Sequence, residues 1–161
     1  MALILEDGTG VTNANAYISL AEFQSFASAR FIDLDDYESD QINGAIVIAS
    51  VDFISVNYDF KGDPLTTTQG MTLPTDEVGI NSDVKNATYQ AALLSLKGRL
   101  FVDTTEININ GPVSSESKSV GSLSKSVEYV ENGRKYTNKY PTTNIDNILS
   151  SYVAGGGTAP A

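Results

Sequence analysis

Cysteine and histidine are both absent from the sequence. The first absence removes any disulfide framework and any thiolate nucleophile. The second removes the commonest general base near neutral pH and the commonest zinc ligand. Basic residues are also scarce, with 10 Lys and Arg against 20 Asp and Glu and a formal net charge of -10. The deficit is uneven: residues 1–80 carry 13 acidic and 2 basic side chains, and residues 81–161 carry 7 and 8. Clustered Lys and Arg are what hold a DNA duplex, and the acidic half cannot supply them. Its surface suits solubility, or a wall past which DNA slides without adhering. No stretch approaches the roughly 20 consecutive apolar residues of a membrane span. The opening Met1 to Gly8 lacks the basic and long apolar regions of a secretory signal. A soluble chain in the cytoplasm, with no membrane partner, is expected.

What the sequence does contain is organised around Asp40 to Phe60. At helical spacing Ile42, Ala45, Ile46, Ala49, Phe53 and Val56 form one apolar stripe, and Val47, Val51, Ile54 and Tyr58 a second beside it. A helix with two apolar faces must be covered from two sides, one by its own chain and the other by a neighbouring subunit. Ser39 or Asp40 is placed to cap it. Upstream, Ser19 and Glu22 have capping-box spacing before Leu20, Phe23, Phe26 and Ala27, which predicts a helix from about Leu20 to Ala29. Downstream, Ser82 or Asp83 should cap a second long helix reaching about Phe101, and the intervening stretch rich in Gly, Pro and Thr reads as a long ordered loop.

The expected architecture is therefore mainly α, a small helical bundle in a single domain spanning residues 1–161. It divides into an N-terminal arm (1–18), a helical core (19–102), an extended arm with a β-hairpin (103–140), a C-terminal helix (141–153) and a flexible tail (154–161). The hairpin is read from Ser124 to Val130 and Arg134 to Asn138 flanking Asn132-Gly133. The last helix would start at Thr143 or Asn144. The stretch Thr104 to Ser126 has too few apolar residues to hold itself against a core and would gain order by lying on a neighbour.

Active-site patterns fail one by one. An EF-hand loop starting at Asp33 would need Gly at its sixth position and an acidic twelfth residue, where the chain has Glu38 and Gly44. Three Ser-x-x-Lys matches, at Ser82, Ser115 and Ser122, lack the accompanying elements of a Ser nucleophile. Neither a phosphate-binding Gly-rich loop nor a distinguished carboxylate pair is present. No catalytic, cofactor or metal residues are expected, and the chain does not read as an enzyme. Aromatic and basic residues do alternate, with Tyr58 and Phe60 near Lys61, and Tyr129, Tyr136 and Tyr140 near Arg134, Lys135 and Lys139. That mixture serves single-stranded nucleic-acid stacking, although β propensity alone also favours Tyr on a ribbon.

Several motifs occur in a familiar order. Glu6-Asp7-Gly8-Thr9-Gly10, Asn13 to Ser19 and Ala21-Glu22 form the opening. Asp52-Phe53, Phe60-Lys61-Gly62, Gln69 with Leu73-Pro74, and Val84 to Thr88 follow, then Lys118 with Val120-Gly121, and finally Tyr140-Pro141 with Ile145 and Leu149. Together they resemble a family of tailed-phage head-tail adaptors (head-completion proteins), often described as DnaT-like single-stranded-DNA-binding proteins. Two departures stand out: the family's Trp-Pro-Arg is Leu73-Pro74-Thr75 here, and the Ser of its opening motif is Ala16. The resemblance implies a virion protein forming a dodecameric ring between portal and tail, with the portal protein, the next connector or tail protein and further copies of itself as partners, and DNA only as cargo in the lumen. Before assembly it would reside in the host cytoplasm. Interaction candidates are Phe60, Lys61, Leu73 and Pro74 in the loop, Val120 and Gly121 in the arm, and Ile145, Ile148 and Leu149 in the last helix. The alternative implied function is a single-stranded-DNA-binding replication accessory.

Overall fold

The structure, a computed structural model, describes residues 2–101, 113–119, 124–129 and 141–155. It is mainly helical. In chain order it contains α1 (Leu20–Ser28), α2 (Ser39–Val47), a π-helical segment (Ile48–Ile54), α3 (Ser55–Asn57), α4 (Ser82–Leu96), β1 (Val113–Ser119), β2 (Ser124–Tyr129) and α5 (Thr143–Leu149).

The helix starts follow side-chain chemistry. Ser19 and Glu22 form the expected capping box on α1. α2 begins one residue before the expected caps. Glu38 is its N-cap, with its backbone N–H bonded to the Gln41 side chain at 2.8 Å. α4 is likewise capped one residue early. Asn81 Oδ1 accepts from the backbone N–H groups of Asp83 and Val84, each at 3.0 Å, and Thr142 precedes α5. α4 stops at Leu96 rather than Phe101. Gly98 adopts φ +63°, and the N–H groups of Gly98 and Arg99 return to Ser95 and Leu94 at 2.9 and 2.8 Å. Such a left-handed closure favours glycine and ends the helix.

The long central helix is interrupted. Residues 48–54 are wound as a π-helix, and the run ends at Asn57 instead of Phe60. A π turn takes an extra residue, so adjacent pairs face inward on successive turns: Ala45 with Ile46, Ala49 with Ser50, and Phe53 with Ile54 are all buried. The shift carries Ile54 from the expected second stripe into the core and turns Val56 out to 74 % exposure. Val51 and Tyr58 pack partly buried on the same core. The chain thus shelters most of both stripes itself, which strict 3.6-residue spacing does not reveal.

The core is built between the central run and α4. The buried α4 face of Val84, Ala87, Thr88, Ala91 and Ala92 packs on α2, the π-helical segment and α5. Small side chains allow this close approach. The Thr88 hydroxyl, fully buried, donates to Val84 O at 2.8 Å.

β1 and β2 form an antiparallel pair in which Lys118 stands opposite Lys125 and Ser117 opposite Ser126. The hairpin in this region exists, but the expected strand at 124–129 pairs upstream with Val113–Ser119. The stretch Arg134 to Asn138, the Asn132-Gly133 turn and most of Thr104 to Ser126 outside the strands lie beyond the described residues, as does the tail after residue 155.

Candidate interaction surface

The residues singled out from the sequence converge on two internal junctions. In the first, the N-terminal arm and the 60–75 loop meet the π-helical segment through Tyr17, which is 1 % exposed. Its backbone N–H donates to Ser50 Oγ at 3.2 Å, its hydroxyl meets Ser55 Oγ at 2.8 Å, and that hydroxyl also accepts from the Leu73 backbone N–H at 3.3 Å. Burial pushes the phenol above its ordinary range and keeps it protonated. Gln69 organises the loop end, its amide donating to the carbonyls of Met71, Thr72 and Pro74 at 2.8, 3.2 and 3.0 Å. The neighbouring Gly70 lies against the Ala14 backbone, where any Cβ would collide. Leu73 and Pro74 are buried here, joined by a cis peptide.

In the second junction the C-terminal segment closes on the 58–61 strip. Phe60 bridges to Val153 in antiparallel fashion and is buried. Lys61 donates through its backbone to Tyr152 O at 2.9 Å and through Nζ to Ser151 O at 2.8 Å. The Tyr58 hydroxyl donates to Asp146 Oδ1, and the Tyr152 hydroxyl to Asp83 Oδ2, both at 2.6 Å. Burial, followed by the Asp146 carboxylate, pushes the Tyr58 phenol far up. Ile145 and Leu149 are fully buried and Ile148 is half-buried. Phe60, Leu73, Pro74, Ile145 and Leu149 are therefore core residues of the chain itself, and α5 packs on α4. Val120 and Gly121 lie outside the described residues.

On the outer face of α1, Phe26 stacks on Tyr89 of α4 with ring centroids 4.7 Å apart, and the Arg30 guanidinium sits 3.9 Å over the Phe26 ring. A shallow groove there is lined by Glu22, Ser25, Phe26 and Arg30 from the α1 side and by Asn86 and Tyr89 of α4, and Glu22 pairs with Lys85 at 2.6 Å. Burial raises the Glu22 pKa, but the bonds from Lys85 and Ser19 outweigh it and hold the carboxyl below its ordinary value of 4.5. A depressed carboxylate stabilises the fold above its unfolded pKa and loses that contribution as pH falls through the folded one. Lys85→Met is expected to lower the unfolding free energy at pH 7 by under about 1 kcal/mol, since both side chains are more than a third exposed. The difference from the parent should shrink in urea titrations carried below pH 4.5 and vanish in stronger acid. A constant difference at every pH would mean that Lys85 acts by packing instead.

The sequence reading missed a second exposed feature. Phe31, just past α1, is 99 % exposed with φ +54°. It borders a groove of about 710 Å³ whose lining includes Ile32, Leu34, Tyr37 and Ile42 together with Asp33 and Asp35. The available signal was a Phe at the position after a helix where Gly is usual.

Among the described residues no group of three or more acidic side chains is placed to hold a metal ion, and no helix is long and apolar enough to cross a membrane. The model of a family described as "Putative DnaT-like ssDNA binding protein" matches residues 1–161. The chain belongs to that family. No curated protein and no solved structure matches it.

Proposed function

We propose that the chain binds single-stranded DNA through its C-terminal arm, with the acidic helical body held away from the strand. The observation that carries this reading is the hairpin register, which sets Lys118 directly opposite Lys125. In general, like charges at opposed positions disfavour a strand pair, and a polyanionic partner offsets clustered positive charge. Charge is also divided along the chain: residues 1–101 carry 14 Asp and Glu against 5 Lys and Arg, while the arm, residues 103–140, carries 5 of each, with Tyr129, Tyr136 and Tyr140 among them. Basic residues interleaved with aromatics are what a strand needs for backbone contact and base stacking. Family membership supports the same class of partner. The role is non-enzymatic. Fluorescence anisotropy with a labelled oligothymidylate should give micromolar affinity at low salt, falling as salt rises with a log–log slope of about -0.7 per phosphate contacted. Lys118→Glu with Lys125→Glu should weaken binding at least tenfold. Binding that ignores both salt and this double change sinks the proposal.

A second reading, the ring-forming head-tail adaptor, is favoured by the order of the motifs along the whole chain and by an acidic body suited to a channel wall that does not hold DNA. In it the chain is a virion component docked between the portal and the next connector. Negative-stain imaging of the protein mixed with its portal tests this reading directly. A ring added below the portal supports it, and an unchanged portal removes it.

A further inference from the structure

We infer that the corner where α4 ends, Lys97 to Phe101, is a second contact for the single strand, at which two cations hold phosphates and Phe101 stacks on a base. The inference rests on the DNA reading above and adds one point at which the otherwise acidic body meets the strand. Of the five basic residues in positions 1–101, three are engaged within the chain. Lys85 pairs with Glu22, the Lys61 ammonium donates to Ser151 O, and the Arg30 guanidinium lies over the Phe26 ring. Lys97 and Arg99 are exposed, and neither side chain has a bonding partner among the described residues. Cations at a helix end commonly serve its last carbonyls. Here the backbone has taken that role: Lys97, Gly98 and Arg99 return their N–H groups to Leu93, Ser95 and Leu94 at 3.2, 2.9 and 2.8 Å. Both charges therefore stay uncommitted. No acidic residue occurs from Val84 to Val102, so the corner closes a basic stretch of the chain. Phe101 adds what a plain anion site does not need. It is 63 % exposed, while its neighbour Leu100 is buried and anchors the turn. Its ring meets the buried Phe53 at 69° with centroids 6.0 Å apart. A contact so close to perpendicular leaves at least one face of the Phe101 ring clear of Phe53. An open aromatic face beside cations is how single strands are held without sequence preference. Position along the chain agrees, because the arm proposed to bind DNA begins at Asp103, two residues after Phe101.

The sequence has no tryptophan, so Phe101→Trp puts a single indole at the corner of the full-length chain. Its fluorescence should be quenched as oligothymidylate binds at low salt and should not respond to polyglutamate, which offers negative charge without bases. Lys97→Gln with Arg99→Gln should weaken oligothymidylate binding about tenfold at low salt and reduce the log–log salt slope by about 1.4, the share of two phosphate contacts. Phe101→Ala should weaken binding at least fivefold and leave the slope at the parent value. An indole signal that ignores bound oligothymidylate overturns the inference, as does one that responds equally to polyglutamate. Parental affinity and slope in Lys97→Gln with Arg99→Gln overturns it too. Those results leave the arm reading standing wherever the parent binds and Lys118→Glu with Lys125→Glu weakens it. A parent chain that binds no oligothymidylate removes both.

Discussion

Leu149→Ala is expected to lower the unfolding free energy of the isolated chain by about 3 kcal/mol, and Ile145→Ala by a similar amount. Both side chains are fully buried where α5 packs on α4. Truncation removes the transfer free energy of the lost methyl groups and leaves a cavity that fixed neighbours cannot fill. The site has little freedom to collapse. Tyr58 ties α5 through Asp146, and Tyr152 ties the following turn to Asp83 at the start of α4, so both ends of the segment are anchored. Had α5 ordered only on meeting a partner, the free protein would be indifferent to either change. Urea unfolding of the free chain separates the two cases. A loss below about 0.5 kcal/mol with an unchanged m-value would mean that α5 is not part of the cooperative unit.

The motifs by which the chain resembles its family turn out to be the residues that hold the fold. Glu6 organises the Gly-Thr-Gly turn, Tyr17 joins three segments, and Gln69 arranges the carbonyls around Pro74. Gly70 admits the Ala14 backbone, Lys85 pairs with Glu22, and Ile145 and Leu149 fill the core. Sequence reasoning located α1, α4 and α5 because helical periodicity and capping residues are local signals. It missed the π-helical winding because the inward rotation of Ser50 and Ile54 depends on Tyr17, 33 residues before Ser50, donating its N–H to the serine hydroxyl. Five of the interaction candidates, Phe60, Leu73, Pro74, Ile145 and Leu149, are buried within the chain. An apolar residue in a recognisable motif reads the same whether it faces a partner or a core, and only the three-dimensional packing tells them apart. Phe31 shows the converse: a single Phe after a helix carries no periodic signal, and its exposure emerges only with the backbone conformation.

Glu6→Ala should cost about 2–4 kcal/mol, although it deletes no apolar contact. The Glu6 side chain is 4 % exposed, and its carboxylate accepts from three backbone N–H groups: Gly8 at 3.0 Å, Gly10 at 2.9 Å and Val11 at 2.8 Å. Removing the acceptor strands donors that are buried or partly buried, at roughly 1–3 kcal/mol for each one that water cannot reach. Gly10 and Gly8 both use Oε1, and Val11 uses Oε2. Glu6→Gln keeps a carbonyl oxygen for the two glycines but turns an amide donor toward Val11 N–H, so about half of the loss should remain. The damage should also spread. Gly10 O accepts from Thr66 Oγ1 at 3.2 Å, Gly70 N–H donates to Val11 O at 3.2 Å, and Thr12 bridges Gln69. The arm is therefore the surface on which the 66–74 loop is laid. Hydrogen exchange of Glu6→Ala should show protection falling in residues 4–16 and 66–74 together, with α4 unaffected. Loss restricted to residues 4–16 would mean that Gln69 alone holds the loop, and the coupling through Gly10 and Val11 would have to be given up.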